Sequence, residues 1–287
     1  MTRTPLVSVI MNCLNCERYL KEAIDSVYDQ SYNNWEIIFW DNGSDDRSEE
    51  IAKLYDSRLK YFRSDKTTIL GTARALAVEQ AEGEYLAFLD CDDIWFKDKL
   101  QDQMQIFLED GEDLGLVYGK CEVLYENSKK RVSKRGSLPE GMIFANLAKE
   151  NFIPFVSAVV KKDVFYSCGG FPRNIKHSTD YWLFLHIAIS YRVRALQDPC
   201  CIYRFHLDNL SSKNPVLAAK ESIQIVSLFL PNQAAEDGLK NHYVDLAIAY
   251  IRERSILKSL KTLFINGVVF RMLFRAISKI ARLLKVK

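Results

Sequence analysis

Between Glu84 and Asp90 the chain runs Tyr85-Leu86-Ala87-Phe88-Leu89, five apolar residues in succession, and then turns acidic at Asp90-Cys91-Asp92-Asp93. An apolar run this short and continuous reads as a strand buried on both faces, as in a parallel sheet. Such a strand demands a layered α/β architecture, because helices must cover both of its faces. In open α/β sheets ligands sit beyond the carboxyl ends of the strands, which is where these three carboxylates fall. Like charges a few ångströms apart raise one another's pKa, so the group calls for a positive partner, and a divalent cation is a compact one. Asp90 and Asp92 flank Cys91 and share one side of an extended chain, placed to grip an ion between them. The competing reading is that the acids end the strand and cap a helix over Ile94 to Leu108.

Upstream, strands and helices alternate. Leu6 to Met11 reads as a strand that stops at Asn12-Cys13-Leu14-Asn15, followed by a helix with Leu20, Ala23, Ile24 and Val27 on one face. Trp35 to Trp40 reads as a second strand ending in Asp41-Asn42-Gly43-Ser44-Asp45-Asp46. Ser44 or Asp45 then caps a helix carrying Ile51, Leu54 and Tyr55. Leu59 to Arg63 predicts a third strand and Gly71 to Ala81 a third helix. This alternation implies parallel pairing through right-handed crossovers, a Rossmann-like half. Neither GxGxxG nor GxxxxGKS occurs, so phosphates must be held another way, and a metal on the Asp90 to Asp93 cluster would do it.

Further on, Leu116 to Gly119 and Cys121 to Tyr125 read as a strand, open to a hairpin. Lys129-Lys130-Arg131 and Lys134-Arg135 read as a solvated basic loop, with contact to an anionic acceptor or lipid headgroups as the alternative. Phe152 to Phe155 leads into a buried strand over Val156 to Val160, and Asp180 opens an amphipathic helix from Tyr181 to Ala188.

At 287 residues the chain can bury one large core and carry an appendage. Its hydrophobic share of 48% and charged share of 26% exclude a disordered class. The seven cysteines are odd in number and lack secreted-scaffold spacing, which predicts reduced thiols in a cytosolic setting. Cys13 and Cys16 form a lone CxxC without a second pair or a histidine at finger spacing, which does not by itself make a zinc or redox site. No signal peptide opens the chain and no run of about 18 apolar residues occurs, so no membrane span is expected. From Pro215 onward only helices are predicted, and every charged residue between Arg254 and Lys287 is basic. At about 100° per residue, Arg271, Arg275, Lys279, Arg282 and Lys285 share one sector, opposite Val269, Leu273, Ile277, Ile280 and Leu284. That pattern predicts a helix lying on an anionic membrane surface, with docking on protein as the alternative and no role in binding nucleic acid.

In their order and spacing these segments resemble glycosyltransferase family 2, enzymes of the GT-A fold. The residues that carry the resemblance are Val7 to Ile10 with Asn15, Tyr19-Leu20, Ala23 to Tyr32, Glu36 to Ile38, Asp41 to Ser44, Gly71 with Ala73-Arg74, and Gly83 to Asp93. Gly169-Gly170-Phe171, Asp180 and Tyr203-Arg204 with His206, Asn209 and Ser211 complete it, over roughly residues 6 to 212. The resemblance implies an α/β GT-A domain over residues 1–214, with a mostly parallel central sheet flanked by helices, and a helical extension over 215–287. It implies that Asn12, Asn15, Asp41, Asn42, Arg74, Asp90 and Arg204 meet the nucleotide, and that Asp90, Asp92 and His206 hold Mg²⁺ or Mn²⁺. Asp180 would be the general base, in a place where the family shows Glu-Asp and this chain has Thr179-Asp180.

The implied reaction is an inverting, metal-dependent transfer of a hexosyl or N-acetylhexosaminyl group from a nucleoside-diphosphate sugar. A UDP-sugar comes first, although the Asn42 amide can donate as well as accept and so does not by itself select uracil. The implied acceptor is a hydroxyl of a glycan or lipid-linked molecule in polysaccharide or lipopolysaccharide assembly, at the cytoplasmic face of the cell membrane. Two rivals stand beside this reading. One is a nucleotidyltransferase, opposed by the missing glycine-rich phosphate loop. The other is a non-catalytic sugar-nucleotide-binding scaffold, for which Asn42, Thr179 and Ala75 speak.

Overall fold

Four parallel strands form the part of the sheet that carries the site: β1 (Val7–Cys13), β2 (Trp35–Asp41), β3 (Leu59–Arg63) and β4 (Tyr85–Phe88), in the order β3-β2-β1-β4. The computed structural model describes residues 4–125, 130–133, 136–206, 209, 213–269 and 271. Along β2 every residue is buried, as the continuous apolar run requires. The helices α1 (Glu17–Tyr28), α2 (Ser48–Ala52) and α3 (Leu70–Glu79) make the crossovers. Beyond β4 come β5 (Ile94–Trp95), α4 (Lys99–Glu109), β6 (Leu114–Tyr125), β7 (Lys130–Ser133) and α5 (Phe144–Leu147). β8 (Val159–Lys161), α6 (Lys162–Ser167), α7 (Thr179–Ala188) and β9 (Arg192–Phe205) follow. The sheet continues from β4 through β8, β6 and β9 to β5; β8 is antiparallel to both its neighbours and β9 parallel to β6. A mixed sheet with a Rossmann-like parallel half and helices on its faces is the GT-A architecture expected from the sequence.

Several elements differ from expectation for local physical reasons. The helix predicted over Ile94 to Leu108 starts only at Lys99, because Ile94 and Trp95 pair with Ile202 and Cys201 of β9. β6 is one strand through Gly119, not two, and much of the predicted basic loop is β7, which pairs with Glu122 to Tyr125. The strand predicted over Val156 to Val160 begins at Val159, after a 3-10 turn over Phe155–Ser157. α2 is a short helix ending at Ala52, and Leu54, predicted on its apolar face, is 80% exposed. α7 is not amphipathic: Tyr181, Leu183, Phe184, Leu185, Ile187 and Ala188 are all buried, so the helix is enclosed on most sides. Cys121 and Cys201, in register on β6 and β9, form a disulfide where seven reduced thiols were expected. Strand pairing brings them together across 80 residues of sequence, a distance no spacing pattern reveals.

The residues group into two compact units, one of residues 1–143 and 152–207 and the other of 144–151 and 208–287. In the second, α5 is joined by helices Pro215–Ser227, Gln233–Arg252 and Ile256–Ile265. Gly238 lets the long helix approach so closely that a Cβ there would lie 2.1 Å from the Ala148 carbonyl oxygen. Among the described residues no helix is long and apolar enough to cross a membrane. Of the predicted cationic helix only Val269 and Arg271 are described; the rest lies outside the described residues. Arg271 itself donates to the Asn241 side chain and the Asp237 carbonyl, so it faces protein.

The first turn of α3 meets the loop that leads to α7 at Gly71, whose N–H donates to the Ile175 carbonyl at 3.0 Å. A Cβ at this position would stand 2.1 Å from the Pro172 oxygen and 2.7 Å from that of Ile175, both backbone atoms that cannot swing aside. Gly71→Ala is expected to lower the unfolding free energy by about 1–3 kcal/mol, read as a lower urea midpoint at unchanged slope.

Candidate active site

The apolar strand β4 delivers Asp90 to the carboxyl end of the parallel strands, and Asp92 and Asp93 follow in the turn before β5. Three residues, from α3 and from the end of β9, meet this turn. From α3, the Arg74 guanidinium donates to Asp90 Oδ1 at 3.1 Å and to the Thr179 hydroxyl at 2.7 Å. It also lies flat over the Phe155 ring, 3.7 Å from its centroid, and is only 6% exposed. From the end of β9, the Arg204 backbone N–H donates to Asp93 Oδ1 at 2.8 Å and its Nε to the Asp92 carbonyl at 2.9 Å. The same side chain pairs with Glu22 at 2.6 Å and stacks over Tyr19, both on α1. His206 Nε2 is 2.9 Å from Asp92 Oδ2, with its ring against Tyr19.

These contacts do not quench the acidity of the turn. Burial pushes the Asp90 carboxyl up; Arg74 opposes the shift, while the nearby charges of Asp92 and Asp180 reinforce it. Asp180, in the first turn of α7, therefore shares the electrostatic field of Asp90 and Asp92, and a helix N-terminus favours a carboxylate. Asp93 is pushed well above the usual carboxylate range by its burial and by Asp92 and Asp90. Asp90 and Asp92 keep 37% and 25% of their side-chain surface open. Two solvent-reaching carboxylates two residues apart suit a hard ion such as Mg²⁺ or Mn²⁺, which takes one or two protein oxygens and leaves its other positions to water and phosphate.

The loop after β2 is built around Asp41, which is fully buried. Its Oδ1 accepts from the N–H groups of Gly43 and Ser44 at 3.1 and 2.7 Å, and its Oδ2 from Tyr61 and Arg63 at 2.6 and 2.7 Å. Burial works against the charge, but the bonds from Tyr61 and Ser44 and the Arg63 charge prevail, holding the carboxyl below its usual pKa. With four acceptor sites filled, Asp41 shapes the loop expected to receive the nucleotide. The Asn42 amide is turned to Thr68, accepting from its N–H and hydroxyl and donating to its carbonyl. Asn15 takes a left-handed φ of 57°, with its Oδ1 accepting from the Asp45 N–H at 2.9 Å. Asn12, at the end of β1, has a buried Nδ2 with no hydrogen-bond partner among the described residues.

The structure thus gathers Asp90, Asp92, Asp180 and His206 with Arg74 and Arg204, and sets Asn12 at the end of β1 with Asn15 and Asn42 in the loops after β1 and β2. Arg74 and Arg204, expected to touch the nucleotide, are buried and bond to the acidic turn. Sequence reasoning missed Thr179, Glu22 and Tyr19 as partners, since each meets the site across a long sequence separation. Thr179 stands where the resemblance supplied a Glu, and no spacing in the sequence pairs it with Arg74, 105 residues away. In a double-mutant cycle of Arg74→Ala and Thr179→Val, urea unfolding is expected to return a coupling of about 1.5–3 kcal/mol, the range of a hydrogen bond to a charged group.

Comparison with known proteins agrees with this geometry. The family model described as glycosyl transferase family 2 matches residues 8–169. The UDP-Glc:alpha-D-GlcNAc-diphosphoundecaprenol beta-1,3-glucosyltransferase WfgD of Escherichia coli is 28% identical over 246 residues, spanning 85% of this chain and 94% of WfgD. The putative teichuronic acid biosynthesis glycosyltransferase TuaG of Bacillus subtilis is 40% identical over 108 residues, 37% of this chain and 43% of that protein. Among solved structures, S. aureus TarS 1-349 in complex with UDP-GlcNAc shares the fold with a TM-score of 0.60 at 18% identity, over 91% of this chain and 92% of that one. The mannosyltransferase PcManGT from Pyrobaculum calidifontis, in complex with GDP-Man and Mn²⁺, gives a TM-score of 0.66 at 17% identity, over 100% of this chain and 82% of that one. With the family match covering more than half of its length, the chain belongs to glycosyl transferase family 2.

Proposed function

We propose that this glycosyltransferase moves a sugar from a nucleoside-diphosphate donor, a UDP-sugar, to a hydroxyl of a lipid-linked or glycan acceptor, with inversion at the anomeric carbon. The observation that carries the reading is the Arg74 guanidinium, which bonds both Asp90 and Thr179 and so ties the acidic turn to the start of α7, where Asp180 sits. WfgD, named for a UDP-glucose donor and a diphosphoundecaprenol-linked acceptor, and TarS with UDP-GlcNAc support the donor and acceptor classes. They also support a place in polysaccharide assembly.

Asp92 and Asp90 would hold a divalent ion, with His206 beside it; when bound, the ion neutralises charge on the donor diphosphate. Arg74 holds the Asp90 carboxylate, and Arg204 fixes the Asp92 backbone and the Asp93 carboxylate. Asn12, Asn15 and Asn42 line the loops proposed to receive the nucleotide, which Asp41 stiffens. Asp180 accepts the proton of the acceptor hydroxyl as that oxygen bonds to the anomeric carbon. The bond from that carbon to the diphosphate oxygen breaks, and its electron pair leaves with the nucleotide. Single displacement with a base on the acceptor side gives inversion.

Asp180→Asn is expected to lower the transfer rate by about 10²–10⁴-fold, while a rise in melting temperature with UDP and Mn²⁺ persists. Asp92→Asn is expected to lose the Mn²⁺-dependent part of that rise. Equal transfer by the wild type and Asp180→Asn would remove Asp180 from its role.

Peripheral membrane attachment belongs to the same reading. On helix Ile256–Ile265, Ile256, Leu257, Leu260 and Phe264 are exposed by 63%, 84%, 45% and 70%. They occupy a sector about 100° wide, bordered on one side by Lys261. An apolar stripe with a cation at its edge suits an anionic lipid surface. Leu257→Asp with Phe264→Asp is expected to cut sedimentation with anionic vesicles by roughly tenfold or more without changing donor binding. Unchanged sedimentation would dismiss this helix as the attachment point.

A further inference from the structure

The CxxC of the β1–α1 loop gains a third member in the fold. Cys91 enters between Asp90 and Asp92, and the ligand sulfurs of Cys13, Cys16 and Cys91 all lie within 4.8 Å of one another. None of the three is in a disulfide. Four Zn–S bonds of about 2.3 Å in a tetrahedron place sulfurs roughly 3.8 Å apart, so contraction by about 1 Å or less converts this trio into three corners of such a site.

Its frame is already fixed. The Cys91 thiol donates to the Asn12 carbonyl at 3.4 Å, the Cys16 N–H to the Ser48 hydroxyl at 3.0 Å and the Asn15 N–H to the Ser44 hydroxyl at 3.0 Å. The Ser44 oxygen also stands 3.8 Å from Cys13 Sγ, which puts a further oxygen at the edge of the cluster. Cys13 and Cys91 are buried and Cys16 is partly exposed, leaving one side through which an ion and a fourth, exchangeable ligand can enter.

We propose that Cys13, Cys16 and Cys91 form a three-thiolate site for a soft divalent ion of the Zn²⁺ class, separate from the oxygen site of Asp90 and Asp92. Soft sulfur and hard carboxylate oxygen select different ions, so the two sites are chemically orthogonal although Cys91 lies between the two aspartates in sequence. Each thiol that joins the ion forms one S–Zn bond and releases one proton to solvent, and nothing is oxidised or reduced. The bound ion would clamp the loop after β1 to the acidic turn after β4, fixing the entrance of α1 relative to Asp90 and Asp92.

The test uses the full chain, reduced, stripped by chelation and titrated with Zn²⁺ against a chromophoric competitor, then with Co²⁺, both in excess Mg²⁺. One equivalent of Zn²⁺ is expected, with thiolate-to-Co²⁺ charge-transfer absorption in the near ultraviolet. Cys16→Ser, at the partly exposed position, should weaken Zn²⁺ binding at least about tenfold and diminish that absorption. Cys91→Ala should do the same, and Cys168→Ser, outside the cluster, should change neither. Far-ultraviolet circular dichroism checks that each variant is folded. Zn²⁺ retention by Cys16→Ser equal to that of the wild type, or Co²⁺ binding without thiolate absorption, would overturn the proposal. The readout is metal binding and not sugar transfer, so its failure is distinguishable from failure of the proposed transferase reaction.

Discussion

Repulsion among carboxylates organises this molecule. Asp90 is partly buried beside the charges of Asp92 and Asp180, and Asp93 adds a fourth acid that burial pushes toward its neutral form. A chain left to itself would not hold such a group together. Here Arg74, Arg204 and His206 reach it from α3 and from the end of β9, and each is anchored in turn by Phe155, by Glu22 or by Tyr19. Breaking a buried ion pair by removing one partner is costly because it strands the other charge. The pairs therefore act as a geometric lock on the acidic turn, and the remaining negative field faces solvent, where a cation can complete it.

Much of this was legible along the chain because the strands leave a one-dimensional trace. The continuous apolar runs of β1, β2 and β4, each ending in polar residues, announce the parallel half and the position of the acids. Asp90, Asp92 and Asp180 were legible for the same reason: each lies just past a strand or at the start of a helix. What stayed hidden depends on partners far apart in sequence. That Arg74 bonds both Thr179 and Asp90 is visible only in the fold. So are the bonds that Asp41 accepts from Tyr61 and Arg63 of β3. Ile94 and Trp95 have the periodicity to extend α4, but pairing with β9 outweighs that local preference.

The departures from the family pattern at Asn42 and Thr179 look different in three dimensions. Asn42 uses both ends of its amide on Thr68, which ties the loop after β2 to the segment before α3. A carboxylate could accept from Thr68 but could not donate to its carbonyl. Thr179 gives Arg74 a neutral acceptor, so the guanidinium keeps its charge for Asp90. Both positions are occupied by residues that fit their surroundings, which removes two of the supports for a non-catalytic scaffold.

β9 also sets a schedule for the growing chain. Arg204 and His206 come 112 and 114 residues after Asp92. At ribosomal speeds of about 5–20 residues per second, the acidic turn waits on the order of ten seconds for them. Until then it can attract whatever cations the surroundings supply. A nascent chain halted at residue 169, where the family match ends, would contain the strand β4 and its acids yet lack the clasp that shapes them. Shaping of the acidic turn is thus coupled to the last strand of the sheet and not to the Rossmann-like half that displays it.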